Sequence, residues 1–145
     1  MNKGFTLVEL LVVMSIIGIL VTIVGGGFRS SQARGRDAQR KSDLKAVSSA
    51  VEIYYSDYGK YPDDSLISWG QEFSDAKTVF IKKLPEDPVS AQSYYYRTLD
   101  SNQKFQLFTK LENSQDKDLI TTSYNNCGGT CNFAVISSNT TPDEQ

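Results

Sequence analysis

The feature that most constrains this chain is an apolar run near its beginning, at residues 4–24. A run of about twenty apolar residues is long enough to cross a bilayer as a helix. This run holds a single ionisable side chain, Glu9, and a carboxylate at such a depth is costly unless a partner neutralises it. The run therefore predicts a helix surrounded by lipid or by other apolar helices, and Glu9 predicts a specific partner.

The residues before the run do not fit a conventional secretory signal. Such a signal has a shorter apolar region that is followed by a cleavage site with small residues. Here the small residue, Gly4, stands before the apolar run instead. The junction consists of Gly4-Phe5-Thr6-Leu7-Val8-Glu9.

This junction resembles the processing site of the type IV prepilin and pseudopilin family. The resemblance implies that residues 1–4 are a leader peptide, removed after Gly4 by the prepilin peptidase, which then methylates the new amino group of Phe5. It also implies that Glu9 recruits each incoming subunit by pairing with the Phe5 amine of its neighbour. The implied partners are further copies of the chain, the inner membrane, the peptidase and the pilus or secretion assembly machinery.

Elementary electrostatics supports this implied pairing. A cationic terminus and a carboxylate each cost much alone in an apolar bundle and much less together. A buried polar group that is satisfied only between subunits also fixes their register, as it does in coiled coils.

Composition points away from several other classes of protein. The chain has 145 residues, a net charge of −2 and no histidine, so it offers no overall basic field for nucleic acid and lacks the commonest general base. No phosphate-binding loop or zinc-type spacing is present. We therefore predict no catalytic residues, no required cofactor and no enzyme.

Three glycines, Gly25, Gly26 and Gly27, end the apolar run. Each is about 1 kcal/mol worse than alanine in a helix. One interpretation is a helix end at the membrane surface; the other is a hinge that melts when the filament forms. Residues 5–27 are assigned to a transmembrane or filament-core helix.

The stretch after the glycines is basic and leaves the orientation in the membrane contested. Its cations are Arg29, Arg34, Arg36, Arg40 and Lys41. Charge counting would place this side in the cytoplasm, whereas the family resemblance implies the reverse and is followed here. The cations are expected on a solvated helix face or against acidic partners on adjacent subunits.

Residues 37–58 show helical periodicity. The apolar positions recur at spacings of three and four and are Leu44, Val47, Val51, Tyr54, Tyr55 and Tyr58. Gly59 and Pro62 stop the helix. A continuous helix from residue 5 to 58 would span about 80 Å, and this part of the sequence resembles the major pseudopilins.

The remainder predicts a small antiparallel sheet at about residues 93–137, packed on the amphipathic helix within a head of residues 28–145. The expected strands are residues 93–98, 104–111, 119–124 and 133–136, with a turn at residues 100–102. In the strand of residues 104–111, apolar and polar side chains alternate. Phe108 breaks this alternation, so it is either exposed or shielded by the tail. We also expect a short helix capped by Ser74 or Asp75, a structural role for Asp87 and a disordered tail from residue 137. The fold class is α+β and pilin-like.

Two sites in the head are left with alternatives. Asp116 and Asp118 lie in an acidic loop where major pseudopilins often hold calcium; the choice is between a calcium site and a solvated loop. Cys127 and Cys131 predict a disulfide in an oxidising compartment, with a thiol pair or a metal clip as the alternative.

The sequence thus predicts a structural subunit of a type IV pilus or pseudopilus filament. The precursor would be a single-pass cytoplasmic membrane protein, and the product a surface or periplasmic filament. The alternative is a membrane-anchored binding module whose head works alone. Motility, adhesion, DNA uptake and protein secretion all stay open.

Overall fold

The computed structural model describes residues 4–25 and 28–144. Two helices come first, α1 (Leu7–Gly25) and α2 (Phe28–Tyr58), and a short 3-10 turn follows at Asp64–Leu66. The strands are β1 (Phe73–Ser74), β2 (Val79–Ile81), β3 (Tyr95–Leu99), β4 (Lys104–Thr109) and β5 (Phe133–Ile136). The sequence predicted a long amino-terminal helix and a small antiparallel sheet, and the α+β class is confirmed.

Helix α1 is built from the apolar run, and every side chain from residue 4 to residue 22 is exposed. Gly25 is its last residue, while Gly26 and Gly27 lie outside the described residues. Among the described residues, 4–25 and 28–144, no helix is long and apolar enough to cross a membrane.

Helix α2 buries the face that its periodicity predicts. Leu44, Val47 and Val51 are fully buried. The helix ends at Tyr58, and the next residue, Gly59, adopts a positive φ of 68° and donates its amide to the Tyr55 carbonyl at 2.8 Å. Tyr58 was expected to face inward but is 47 % exposed, because its ring stacks along the helix on Tyr54 and its hydroxyl donates to Asp75.

The main sheet has the strand order β3-β4-β5, all antiparallel. Tyr96 pairs with Leu107, and Leu107 in turn pairs with Val135. The turn between β3 and β4 falls at Asp100, Ser101 and Asn102, as predicted, and all three adopt positive φ. Asn102 is held there by hydrogen bonds that it exchanges with Tyr61.

Both faces of this sheet are covered, and successive side chains of β4 point to one or the other of two apolar clusters. Phe105 and Leu107 of β4 pack with α2 in the main core. Phe108 points to the opposite face and packs with Cys127 and Cys131. Phe108 is therefore shielded rather than exposed, which is the second of the two alternatives left by the sequence.

Two expectations about secondary structure were wrong. The predicted short helix after Ser74 is replaced by the β1–β2 hairpin, because Asp75 accepts the amides of Lys77 and Thr78 and so caps a turn instead of a helix. Residues 119–124 form no strand. They are held by scattered bonds, such as that from the Ile120 amide to the Asn132 carbonyl at 2.9 Å.

The described part of the tail is packed rather than disordered. Ser137 is buried, and its amide donates to the Phe105 carbonyl at 3.1 Å. The side-chain amide of Gln106 donates to the Thr141 carbonyl, and Lys104 forms an ion pair with Glu144. Polar groups on β4 thus bind the tail, a signal that apolar periodicity does not contain.

The link between helix and sheet includes an aromatic pair, Trp69 and Tyr94. Their rings meet edge to face with centroids 5.4 Å apart. The Tyr94 hydroxyl donates to Asp43 of α2 at 2.7 Å. Burial, followed by this hydrogen bond, raises the pKa of Tyr94, so the hydroxyl stays a donor at neutral pH.

Candidate assembly site

The processing motif lies at the free start of α1. Gly4 and Phe5 precede the first helical turn, and Phe5 is 76 % exposed. The predicted cleavage and methylation point is therefore reachable by another protein. The predicted assembly residue, Glu9, lies in the first turn.

Glu9 and Thr6 form a reciprocal cap at this helix start. The Thr6 amide and hydroxyl donate to Glu9 Oε2 at 2.9 and 2.8 Å. In return, the Glu9 backbone amide donates to Thr6 Oγ1 at 3.2 Å. This is a capping box, which satisfies two backbone donors that a helix start leaves free. It fixes the Glu9 carboxylate close to the chain end that carries Phe5.

The sequence analysis missed the role of Thr6, although its signal was present. Threonine followed three positions later by glutamate, directly before an apolar run, is the pattern of a capping box. The same carboxylate can therefore begin the helix in a single subunit and remain available for a cation at that end.

Along residues 7–22, α1 presents an apolar surface that its own chain leaves exposed. Leu7, Val8 and Leu11 are 79 %, 70 % and 63 % exposed. A contiguous apolar surface of this kind marks a site of contact with another protein or with a membrane. Of the three predicted hinge residues, only Gly25 is described, at the end of α1, so the hinge stays a prediction.

The head is held to α2 by a buried ion cluster around Arg40. Its guanidinium, fully buried, donates to Asp37 at 2.8 Å and to Glu112 at 2.8 Å. Two further bonds, of 2.8 and 2.9 Å, reach the two oxygens of Asp87. Burial by itself would lower the pKa of Arg40, but the bonds to Asp87, Glu112 and Asp37 raise it.

The expectation of a solvated face for Arg40 was therefore wrong. Its carboxylate partners come from α2, from the turn at Asp87 and from the end of the sheet at Glu112. Periodicity within a helix carries no information about acids so distant in the chain. Asp87 has the structural role predicted for it, and it also accepts the Val89 amide at 2.8 Å.

Arg36 extends the cluster to the protein surface. It binds both oxygens of Glu112, at 2.7 and 2.5 Å. The hydrogen bond from Arg36, with help from Arg40, lowers the pKa of Glu112 to about 2. At least these two cations of the basic stretch find their partners inside the same chain.

The two candidate calcium ligands are bound to a lysine. Lys41 Nζ lies 2.7 Å from Asp116 Oδ1 and 2.7 Å from Asp118 Oδ2. Within residues 4–25 and 28–144, no group of three or more acidic, histidine or cysteine side chains is placed to hold a metal ion. The calcium site proposed from sequence is not confirmed.

Cys127 and Cys131 form the predicted disulfide, with their Cα atoms 5.4 Å apart. Both are fully buried against Phe108 on the outer face of the sheet. The bridge therefore acts as apolar core as well as a cross-link. This geometry supports the disulfide among the alternatives that the sequence left open.

The exposed apolar helix, its capped glutamate and the small sheet define the class of type IV pilin-like structural subunits, which are not enzymes. The family "Prokaryotic N-terminal methylation motif" matches residues 1–25, and the family "Type II secretion system (T2SS), protein G" matches residues 28–118. The chain belongs to the type II secretion system protein G family.

Individual relatives come from both secretion systems and pili. The chain is 30 % identical over 117 residues to the type II secretion system core protein G of Pseudomonas aeruginosa, covering 74 % of this chain and 82 % of that protein. For the core protein G of Aeromonas hydrophila the identity is 30 % over 96 residues, covering 60 % and 67 %.

Pilins match over a shorter part of their length. The type IV major pilin protein PilA of Myxococcus xanthus is 42 % identical over 62 residues, which is 43 % of this chain and 28 % of that pilin. A gonococcal major pilin, PilE1, is matched over 52 % of its length. No solved structure matches the chain significantly.

Proposed function

We propose that this chain is the repeating subunit of a pseudopilus of the protein G type. Cleavage after Gly4 exposes the amino group of Phe5, which is methylated. Helix α1 anchors the precursor in the cytoplasmic membrane, and filament growth moves it into a bundle of identical helices. There Glu9 of one subunit neutralises the Phe5 amine of its neighbour.

The exposed apolar surface of α1, with one carboxylate at its start, is the observation that carries this proposal. The residues are uncovered in the single subunit, so they need an apolar environment, which lipid supplies for the precursor and neighbouring helices supply in the filament. A secretion filament is favoured over a pilus because the protein G relatives match over more of their length than the pilins do.

The first experiment is the intact mass of protein recovered from its native membrane and from the sheared surface fraction. We expect loss of residues 1–4, gain of one methyl group and two hydrogens fewer at the cysteines. A full-length chain, or cleavage elsewhere, would contradict the proposal and favour the anchored binding module.

The second experiment replaces the carboxylate, as Glu9→Ala. The variant should be stable and remain in the membrane, yet the assembled fraction should fall by more than tenfold. An unpaired buried charge costs about 3–5 kcal/mol, and about 1.4 kcal/mol already corresponds to tenfold.

Ser15→Ala is the matched control for this experiment. The Ser15 hydroxyl donates within α1, to the Val12 carbonyl at 2.8 Å. Removing it takes a polar group from the same helix without touching the proposed pair, so assembly should persist. Normal filaments from Glu9→Ala would refute the role of Glu9.

A further inference from the structure

The loop of residues 112–118 leaves the end of the sheet and returns to α2. Asp37 of the helix accepts the backbone amides of Glu112 and Asn113 at 2.9 and 2.8 Å. Arg36 and Arg40 pair with the Glu112 side chain. The first half of the loop is thus fixed by contacts that need no added ion.

The second half of the loop carries the two carboxylates that would be candidates for a metal. Both point at Lys41, whose ammonium lies 2.7 Å from an oxygen of Asp116 and 2.7 Å from an oxygen of Asp118. Asp116 Oδ1 also accepts the amide of Asp118 at 3.0 Å, which closes the loop on itself.

A third neighbour completes the environment of this ammonium. Lys41 Nζ lies 5.2 Å from the centre of the Phe133 ring in β5. A ring face at this distance attracts a cation. Lys41 is therefore held by the loop on one side and by the sheet on the other.

These residues do not fit a calcium ion. Calcium takes about 6–8 oxygen ligands at about 2.3–2.6 Å. Here the space between the two carboxylates is taken by a cation of the chain itself, and an aromatic face lies beside it. A ring face supplies no oxygen, and a second cation would be repelled by the ammonium.

We propose that the ammonium of Lys41 is the resident cation of this loop and takes the place that a divalent metal would otherwise fill. It cancels the repulsion between Asp116 and Asp118 and fastens the loop to α2. The attachment of the loop, and with it the stability of the head, is therefore independent of calcium.

The protonation behaviour is consistent with such a role. Partial burial would lower the pKa of Lys41, but the hydrogen bonds to Asp116 and Asp118 outweigh it and raise the pKa. The same contact with Lys41 lowers the pKa of Asp116. The cation and the carboxylate thus stay charged across the whole neutral range.

The test uses the full chain in nonionic detergent micelles and compares melting curves in CaCl2, in MgCl2 at equal ionic strength and in EDTA. The wild-type melting temperature should be the same in all three. Calorimetric titration with CaCl2 should give no saturable heat. A melting temperature raised by calcium, or saturable binding, would overturn the proposal without bearing on filament assembly.

The lysine is tested by Lys41→Met, which keeps length and removes charge. We expect a fall in melting temperature of roughly 2–8 °C and faster hydrogen exchange at residues 112–118. Lys41→Arg keeps the charge and should behave like the wild type.

Lys45→Met is the matched control, because Lys45 is exposed one turn further along the same helix. It should leave both the melting temperature and the exchange of the loop unchanged. Lys41→Met melting like the wild type would contradict the assigned role. Should Lys41→Met fail to fold, Asp118→Asn provides the milder perturbation, and it should speed exchange in the same loop.

Discussion

At the scale of single residues, Arg40 joins three parts of the chain. Its side chain is fully buried, as is that of Asp87, while Glu112 keeps 24 % of its side-chain surface exposed. A buried ion pair adds little net stability compared with a well-packed apolar core, yet removing one partner is costly. The cluster therefore specifies how the sheet sits on α2 more than it stabilises the fold.

We predict that Arg40→Met destabilises the head strongly. The change leaves Asp37 and Asp87 buried without their guanidinium, and an uncompensated buried charge costs about 3–5 kcal/mol. Urea denaturation of the full chain in micelles measures the loss. Arg34→Met, on the exposed side of the same helix, should change the free energy of unfolding by less than about 0.5 kcal/mol; equal effects of the two would refute the cluster.

The sequence predicted some of these residues and not others, for a physical reason. Phe5, Glu9 and the cysteine pair sit in short local patterns, so their chemistry is visible in a single stretch. The structural role of Asp87 was predicted as well, but its pairing with Arg40 was not, because Arg40 lies 47 positions from Asp87 and 72 positions from Glu112. Such a cluster exists only after the fold has brought its members together.

At the scale of elements, the disulfide loop shows how closely the chain is packed on the outer face of the sheet. Gly128 has a positive φ of 71°, and a Cβ added there would lie 2.1 Å from the Ala91 carbonyl oxygen. By contrast, a Cβ at Gly35, in an exposed early turn of α2, would meet nothing within 4 Å. The two glycines therefore differ in what an alanine would cost.

We predict opposite signs for these two substitutions. Gly35→Ala should raise the stability by about 0.8–1 kcal/mol through helix propensity. Gly128→Ala should lower it by at least about 1–2 kcal/mol, the cost of a left-handed conformation for a residue with a side chain, and the clash with Ala91 adds to this. Melting curves of the two variants test the pair, and a stabilised Gly128→Ala would contradict the packing described.

Helices and strands were predicted with unequal success. The amphipathic pattern of α2 and the alternation in β4 are long enough to be recognised, and both elements formed where expected. The β1–β2 hairpin has strands of two and three residues, too short for any period to show. Residues 119–124 have a strand-like composition. They follow an acidic loop that is bound to α2, and they do not pair with the strands of the sheet.

At the scale of the whole molecule, charged side chains hold the loop and the tail onto the core. The pKa values of Glu112, Asp116 and Glu144 are lowered, chiefly by hydrogen bonds from Arg36, Lys41 and Lys104 respectively. A carboxyl whose folded pKa lies below its unfolded value stabilises the fold above the unfolded pKa. That contribution is lost as the pH falls through the folded value.

We therefore predict acid destabilisation of the head. For Glu112 the loss spans pH 4.5 to about 2, so the free energy of unfolding should fall steadily across that window. Glu112→Gln should flatten the profile. Arg36→Gln should make the loss smaller and end it at a higher pH, because the folded pKa of Glu112 then lies closer to its unfolded value. Denaturant titrations at a series of pH values measure this, and superimposable profiles for the wild type and Glu112→Gln would refute it.

The contact between Trp69 and Tyr94 gives the molecule an optical reporter of its own. Trp69 is the single tryptophan of the chain, and its neighbour is bonded through Asp43 to α2. Indole emission, excited selectively, therefore comes from one place, the junction of sheet and helix. Separation of that junction will shift the emission to longer wavelength, whereas events confined to α1 will leave the spectrum unaltered. Fluorescence therefore distinguishes unfolding of the head from movement of α1, and it needs no added label.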